Sequence, residues 1–214
     1  MSTAPVPPRR PRPAPERRTQ EARSLATREA LVAAGRPLFA ARGFDAVPAE
    51  EIVDRAGLTR GALYHHFGGK PGLFDAVHER LHQEIAERIE AAAARARGPW
   101  DALVAGCRAF LDACADPEVQ RVVLLDGPAV LGWERWRAVD AAHGLGLLKA
   151  GLGEAMAAGE LPARSIDPLA HLLSGAMNEA GMWIARASDP RRARREADAA
   201  LRAVLEAMRT THRA

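Results

Sequence analysis

Two short stretches of the chain hold side chains that could act together at the spacing they have. The first is His78-Glu79-Arg80-Leu81-His82. Four residues apart on a helix, two histidines share one face. With a glutamate between them, they match the His-Glu-x-x-His pattern in which two imidazoles hold zinc and the carboxylate is a general base. The second runs from Gly57 to Lys70, Gly-Leu-Thr-Arg-Gly-Ala-Leu-Tyr-His-His-Phe-Gly-Gly-Lys. Its chemistry is non-covalent. A glycine permits a sharp corner, Thr59 can cap the next helix, and Leu63 and Phe67, four apart, share its inward face. Arg60 then sits at the N-terminal end, and Gly61, Tyr64 and His65 point outward. A helix offering Arg, Gly, Tyr and His suits a DNA groove, where an arginine can read guanine O6 and N7 in a bidentate pair.

Cys107 and Cys114 are seven apart and fall on one helix face without the C-x-x-C spacing of a metal site. They read as buried free thiols, with a redox switch as the alternative.

The second stretch needs partners. A helix from about Ser24 carries an inward stripe of Leu31, Leu38 and Phe39, with a bend expected near Ala33–Pro37 because proline removes a helical hydrogen bond. Gly43 stops it. A short helix over 49–56 buries Ile52, Val53 and Ala56, and Leu58 fills the gap at the corner. Helices this short are unstable alone, so the three must pack as one unit. After Gly68-Gly69 a long helix begins at Lys70-Pro71, its stripe made by Leu73, Phe74, Val77, Leu81, Ile85 and Ile89, and Gly98-Pro99 breaks it. The His-Glu-x-x-His pattern lies on this linking helix. Catalysis needs a third protein ligand. Gln83-Glu84-Ile85 do not continue the Gly/His extension of one large class, which leaves an unconnected glutamate far downstream as the way to complete a site. The pattern reads first as a solvated or partly packed face. No catalytic residue, metal or cofactor is assigned; a zinc-dependent hydrolase using residues 78–82 stays as the alternative.

Further helices are expected over 100–115, 117–125, 132–158, 166–188 and 190–210, with breaks at Asp126-Gly127-Pro128 and from Gly159 to Pro162. The four glycines within Trp133–Met156 predict a bend. Amphipathic stripes on the last two helices suit an internal core or a four-helix dimer interface. Phe110, Trp133, Trp136, His143, Met177, Asn178 and Trp183 are the candidates to line a pocket between helices.

The chain is alanine-rich and 48% hydrophobic with 5% aromatic residues, which favours helix over sheet. Its net charge of +3 is unevenly placed: residues 1–23 hold six arginines against two glutamates. With six prolines as well, that segment is expected to be a disordered basic arm. It either reaches into a minor groove or serves only solubility. No apolar run has membrane-spanning length and no signal core is present, so a soluble, cytoplasmic protein without membrane partners is expected.

Residues 25–85 closely resemble the DNA-binding domain of the TetR family of transcriptional regulators. The matching residues are Leu38-Phe39, Gly43-Phe44, Ile52, Ala56-Gly57, Arg60-Gly61-Ala62-Leu63-Tyr64, His66-Phe67, Lys70 and Leu73-Phe74. The resemblance implies an all-α fold. A three-helix DNA-binding domain (helix-turn-helix 48–67) would join, through a long linking helix, a larger helical ligand-binding and dimerisation domain at 86–210. It implies that Arg60, Gly61 and Ala62 approach base edges, that Tyr64, His65, His66 and Lys70 reach phosphates, and that Thr59 anchors the helix end. The implied partners are a near-palindromic double-stranded DNA operator, a small apolar effector and a second copy bound through 166–188 and 190–210. The implied function is ligand-released repression; a regulator without an effector is the other possibility. One departure stands out: Val47-Pro48 replaces the usual Ser or Thr cap and leaves Glu51 without a capping-box partner.

Overall fold

The computed structural model describes residues 15–209, with side chains from Gln20 onward, and among them the regular structure is all helical. Helix α1 spans Pro15–Arg42. Its start corrects the expected arm boundary. Pro15 is the last of the proline run, a residue tolerated in a first helical turn, and no proline follows until Pro37. Residues 15–23 are therefore helix, and the rest of the proposed arm lies outside the described residues. Pro37 does not split α1. It is exposed, so the carbonyl it leaves without a partner can meet water. Gly43, at φ 79, ends the helix as expected.

Helix α2 (Ala49–Ala56) starts after Pro48, which gives no side-chain cap, and ends at Gly57 with φ 65. Glu51, lacking a capping partner, pairs with Arg42 instead. Helix α3 (Arg60–Phe67) and helix α4 (Lys70–Ala93) follow, with Gly68 at φ 71 between them. Helix α5 is Pro99–Cys114.

Helix α6, 117–131, runs through the expected break at Asp126-Gly127-Pro128. Its middle, Gln120–Asp126, is wound as a wide π turn before Gly127–Leu131 returns to α geometry. A change of winding at that junction shifts the bonding ladder where Pro128 offers no N–H, so the proline does not end the helix. The break falls at Gly132 instead, at φ 77. Helix α7, 133–157, where a bend is expected, contains a second π segment, Ala141–Leu145. Helices α8 (Ile166–Arg186) and α9 (Pro190–Met208) close the described chain.

Leu31, Phe39, Ile52, Leu63, Leu73 and Phe74 are fully buried where α1–α4 meet. Phe39, Phe44 and Phe74 form an aromatic group, with centroids 5.3 Å apart for each pair that includes Phe74. The same apolar cluster continues without a gap through Val77, Leu81 and Ile85 of α4 to Leu111, Val122 and Ile184. A second cluster, with Trp100, Leu103, Leu152, Leu173 and Leu205, sits among α5, α7, α8 and α9. Polar ties reinforce the junction. The Arg36 guanidinium donates to both Glu84 and Glu118 at 2.6–2.8 Å. The Phe44 backbone N–H donates to Asp126 Oδ2 at 2.8 Å.

Candidate functional site

At the end formed by α2 and α3, Thr59 Oγ1 accepts from the Ala62 N–H at 3.2 Å and fixes the start of α3. Leu63 is fully buried, while Arg60, Gly61, Tyr64 and His65 are exposed and Ala62 and His66 partly so. The outward face is thus the one the sequence predicts. Arg60 donates to Glu50 of α2 at 2.8 Å and its guanidinium lies 5.6 Å from the Tyr64 ring centroid. A Cβ placed on Gly61 would meet nothing closer than Thr59 Oγ1 at 3.7 Å. The fold itself does not require glycine there, although a helical glycine costs about 1 kcal/mol relative to alanine.

Lys70, expected to reach a phosphate, also braces the fold. Its Nζ donates to the carbonyls of Phe44 at 2.9 Å and Val47 at 3.0 Å, and it lies 4.0 Å from the Phe44 ring centroid. Two of its three N–H donors therefore hold the α1–α2 turn against the start of α4. Arg28 is a residue that sequence reasoning missed. From α1 it donates to the His66 carbonyl at 2.8 Å and covers the Phe67 ring, satisfying the last turn of α3. Its partner is 38 residues away, and no local pattern signals the contact.

A cavity of about 190 Å³ opens among α4, α5, α7 and α8. Of the predicted lining residues, Phe110, Met177 and Asn178 do line it; His143 and the three tryptophans do not. Trp136 is buried core, its indole N–H donating to the Val123 carbonyl at 2.9 Å. Trp133 is 64% exposed, and Trp183, on α8, faces a separate outer groove between α8 and α9. The sequence reading also missed the cavity's polar end. Asp140 is buried there, accepting from Arg137 at 2.7 Å, Asn178 at 3.2 Å and Ser174 at 3.4 Å. Burial raises its carboxyl above the usual carboxylate range, and these three partners oppose the shift.

His78 and His82 correct the expectation of a solvated or partly packed face: both are buried, their ring centroids 4.6 Å apart. Among the described residues both His78 nitrogens and His82 Nε2 lack hydrogen-bond partners. Among the described residues no three His, Cys, Asp or Glu side chains are grouped to hold a metal ion, so the pair has no third ligand. Glu79, the would-be general base, is turned outward to pair with Arg135 at 2.8 Å.

Cys107 lines the cavity and Cys114 packs against Gly181, and both are free and buried. Burial pushes each thiol up to about 12. Iodoacetamide at about pH 8 is therefore expected to leave both unmodified in the folded protein, since the reactive thiolate is scarce and covered. Mass spectrometry showing either cysteine alkylated before unfolding would contradict this.

Residues 31–77 match the family described as "Bacterial regulatory proteins, tetR family", and residues 100–208 match "Tetracyclin repressor-like, C-terminal domain". The solved structure of a TetR-family transcriptional regulator from Pectobacterium atrosepticum is similar at a TM-score of 0.79. It is 33% identical, with 89% of this chain and 97% of that one covered. RolR in complex with resorcinol is similar in fold at a TM-score of 0.70, with 18% identity, 90% of this chain and 91% of that one covered. The Transposon Tn10 TetC protein of Escherichia coli is 28% identical over 140 residues, 65% of this chain and 71% of its own length.

Proposed function

The chain belongs to the TetR family of transcriptional regulators, and on that premise we propose that it is a cytoplasmic homodimeric repressor released from its operator by a small apolar effector. The exposed face of α3 carries the reading. It offers Arg60 for a guanine edge, with Gly61 and Ala62 low enough for the groove to approach, and Tyr64, His65 and His66 for phosphates. Thr59 anchors the helix start, and Lys70 positions the turn beneath with one N–H left for a phosphate.

Dimerisation is supported by the uncovered apolar side chains of α8 and α9, where Leu172, Trp183 and Val204 are 72%, 47% and 51% exposed. Two copies joined there would present two α3 helices to half-sites about one helical turn apart. The cavity supports an effector, and RolR, solved with resorcinol, is a family precedent for a small ligand. Helix α4 is the link: Ile89 and Ala93 line the cavity, while Leu73 and Phe74 lie in the core beneath α3. An effector that favours a different seating of α4 would lower operator affinity, and operator would lower effector affinity by the same factor.

The test is Arg60→Ala. Against operators selected from random duplexes, the variant is expected to bind about 5- to 150-fold more weakly and to lose discrimination at one base position, from about 1–3 kcal/mol of bidentate readout. Its thermal melting should stay near that of the parent, because the Arg60–Glu50 pair is solvent-exposed. Unchanged affinity and unchanged base preference would refute the base-reading role.

A further inference from the structure

The cavity has a volume, a wall and, at its buried end, an acceptor without a donor, and together they define a ligand. About 190 Å³ is little more than the roughly 150 Å³ of a cavity that takes benzene. That is room for one ring with a small substituent. The walls are apolar, built from Ile89, Leu103, Phe110, Leu147, Leu148 and Met177. No lysine, arginine or histidine lines it among the described residues, whereas Asp140 stands inside and the exposed Glu90 and Glu154 also line it.

The three donors around Asp140 all converge on Oδ2. Oδ1 takes none of them. It faces Gly144, a lining residue, lying 3.5 Å from where a Cβ on that glycine would be. Arg137 already balances the charge of Asp140, and Glu90 and Glu154 are solvent-exposed, so a cation deep enough to reach Oδ1 would carry its charge into the apolar end, away from those two carboxylates. An anionic ligand would meet three carboxylates and no basic group. A purely apolar one would strip water from Oδ1 and return nothing. A hydroxyl supplies what is missing, a short O–H···O⁻ bond to an acceptor already held in place.

We propose, resting on the reading that this cavity takes the effector, that its ligand is an uncharged, single-ring-sized apolar molecule whose hydroxyl donates to Asp140 Oδ1. Calorimetry on the DNA-free full chain with four probes of one size tests it: p-cresol, p-xylene, benzylamine and 4-methylbenzoate. The expected result is p-cresol binding at least about tenfold more tightly than p-xylene, with the two charged probes weaker still. In Asp140→Asn that preference should shrink to less than about threefold, because the neutral amide is the poorer acceptor. A second variant, Gly144→Ala, places a methyl in ordinary contact with Oδ1 and should also erase the preference, with circular dichroism confirming the fold of both.

Equal binding of p-cresol and p-xylene, tightest binding of either charged probe, a preference that survives both substitutions, or no binding of any probe would each overturn the assignment. Fluorescence anisotropy on a selected operator separates it from the reading beneath. Asp140-dependent binding of p-cresol without DNA release would keep the site and sink the effector role. Release of DNA by a probe that ignores Asp140 would keep the effector role and sink the hydroxyl.

Discussion

Replacing Phe74 with alanine is expected to destabilise the protein by about 3–5 kcal/mol, the range for emptying a buried aromatic site, and to remove operator binding along with the lost stability. Phe74 has no exposed surface, and its ring stands edge-on to both Phe39 and Phe44. Such pairs add about 0.5–1.5 kcal/mol beyond area burial. The site cannot collapse easily, because Phe44 is held from two other directions. Its N–H is bonded to Asp126, and its carbonyl accepts from Lys70. A void at Phe74 would therefore loosen the turn that seats α2 and, through α2, the face of α3. Phe74→Leu keeps most of the volume and should cost less than half as much. Urea unfolding read by circular dichroism, with operator binding in parallel, checks both. A loss under about 1 kcal/mol for the alanine variant would mean that the aromatic group is not the keystone of this region.

Acid is expected to act on the protein through two histidines. Burial, with Arg135 and His143 nearby, lowers His78 to about 4; burial, with His78 and His143, lowers His82 to about 3. Glu79 opposes the shift of His78. In the unfolded chain both groups titrate near 6.5. Between these values the unfolded state holds protons that the native state refuses, so stability falls as pH falls. The contribution is complete above about pH 6.5 and drains away towards about pH 4 for His78 and about pH 3 for His82. Two groups give a slope of up to about 2.7 kcal/mol per pH unit, at 1.36 kcal/mol per unit for each. His82→Leu fills a similar volume with a group that does not titrate, and should roughly halve that slope between pH values of about 6 and 5. An unaltered slope in the variant would show that these imidazoles are not the acid-sensitive groups.

How far the sequence could be read depended on how local each signal was. The bounds of α2 and α3 were legible because Gly57, Thr59 and Gly68 mark them by backbone preference alone, and the structure gives each of them that role. The outward face of α3 followed from its phase over two turns. Phase failed further along. The π segment at Ala141–Leu145 displaces every later side chain from the 3.6-residue rhythm, and His143 sits within it. The tryptophans failed for another reason: size says that a residue prefers cover, not which cover. Trp136 found the core, while Trp133 and Trp183 stayed largely outside. Lys70 and Arg28 were illegible as braces because each bonds main-chain carbonyls more than 20 residues away, and a carbonyl has no residue type. The burial of His78 and His82 was hidden because α4 is covered on more than one face. It packs against α1, α3, α5, α6 and α7, so the polar residues beside its apolar stripe are covered too.

The apolar cluster that passes from beneath α3 along α4 to α8 has a bearing on how such a chain can be remade. A division of tasks between residues 25–85 and 86–210, as the sequence leads one to expect, would draw its seam through the middle of one helix and one continuous core. A graft that carried this reading head onto another sensor would have to recut Val77, Leu81 and Ile85 to fit the new neighbour. A fragment ended at residue 85 would expose them to water. The chain should accordingly melt as one unit, in a single calorimetric transition, and its two halves would have to evolve in step wherever they share that helix.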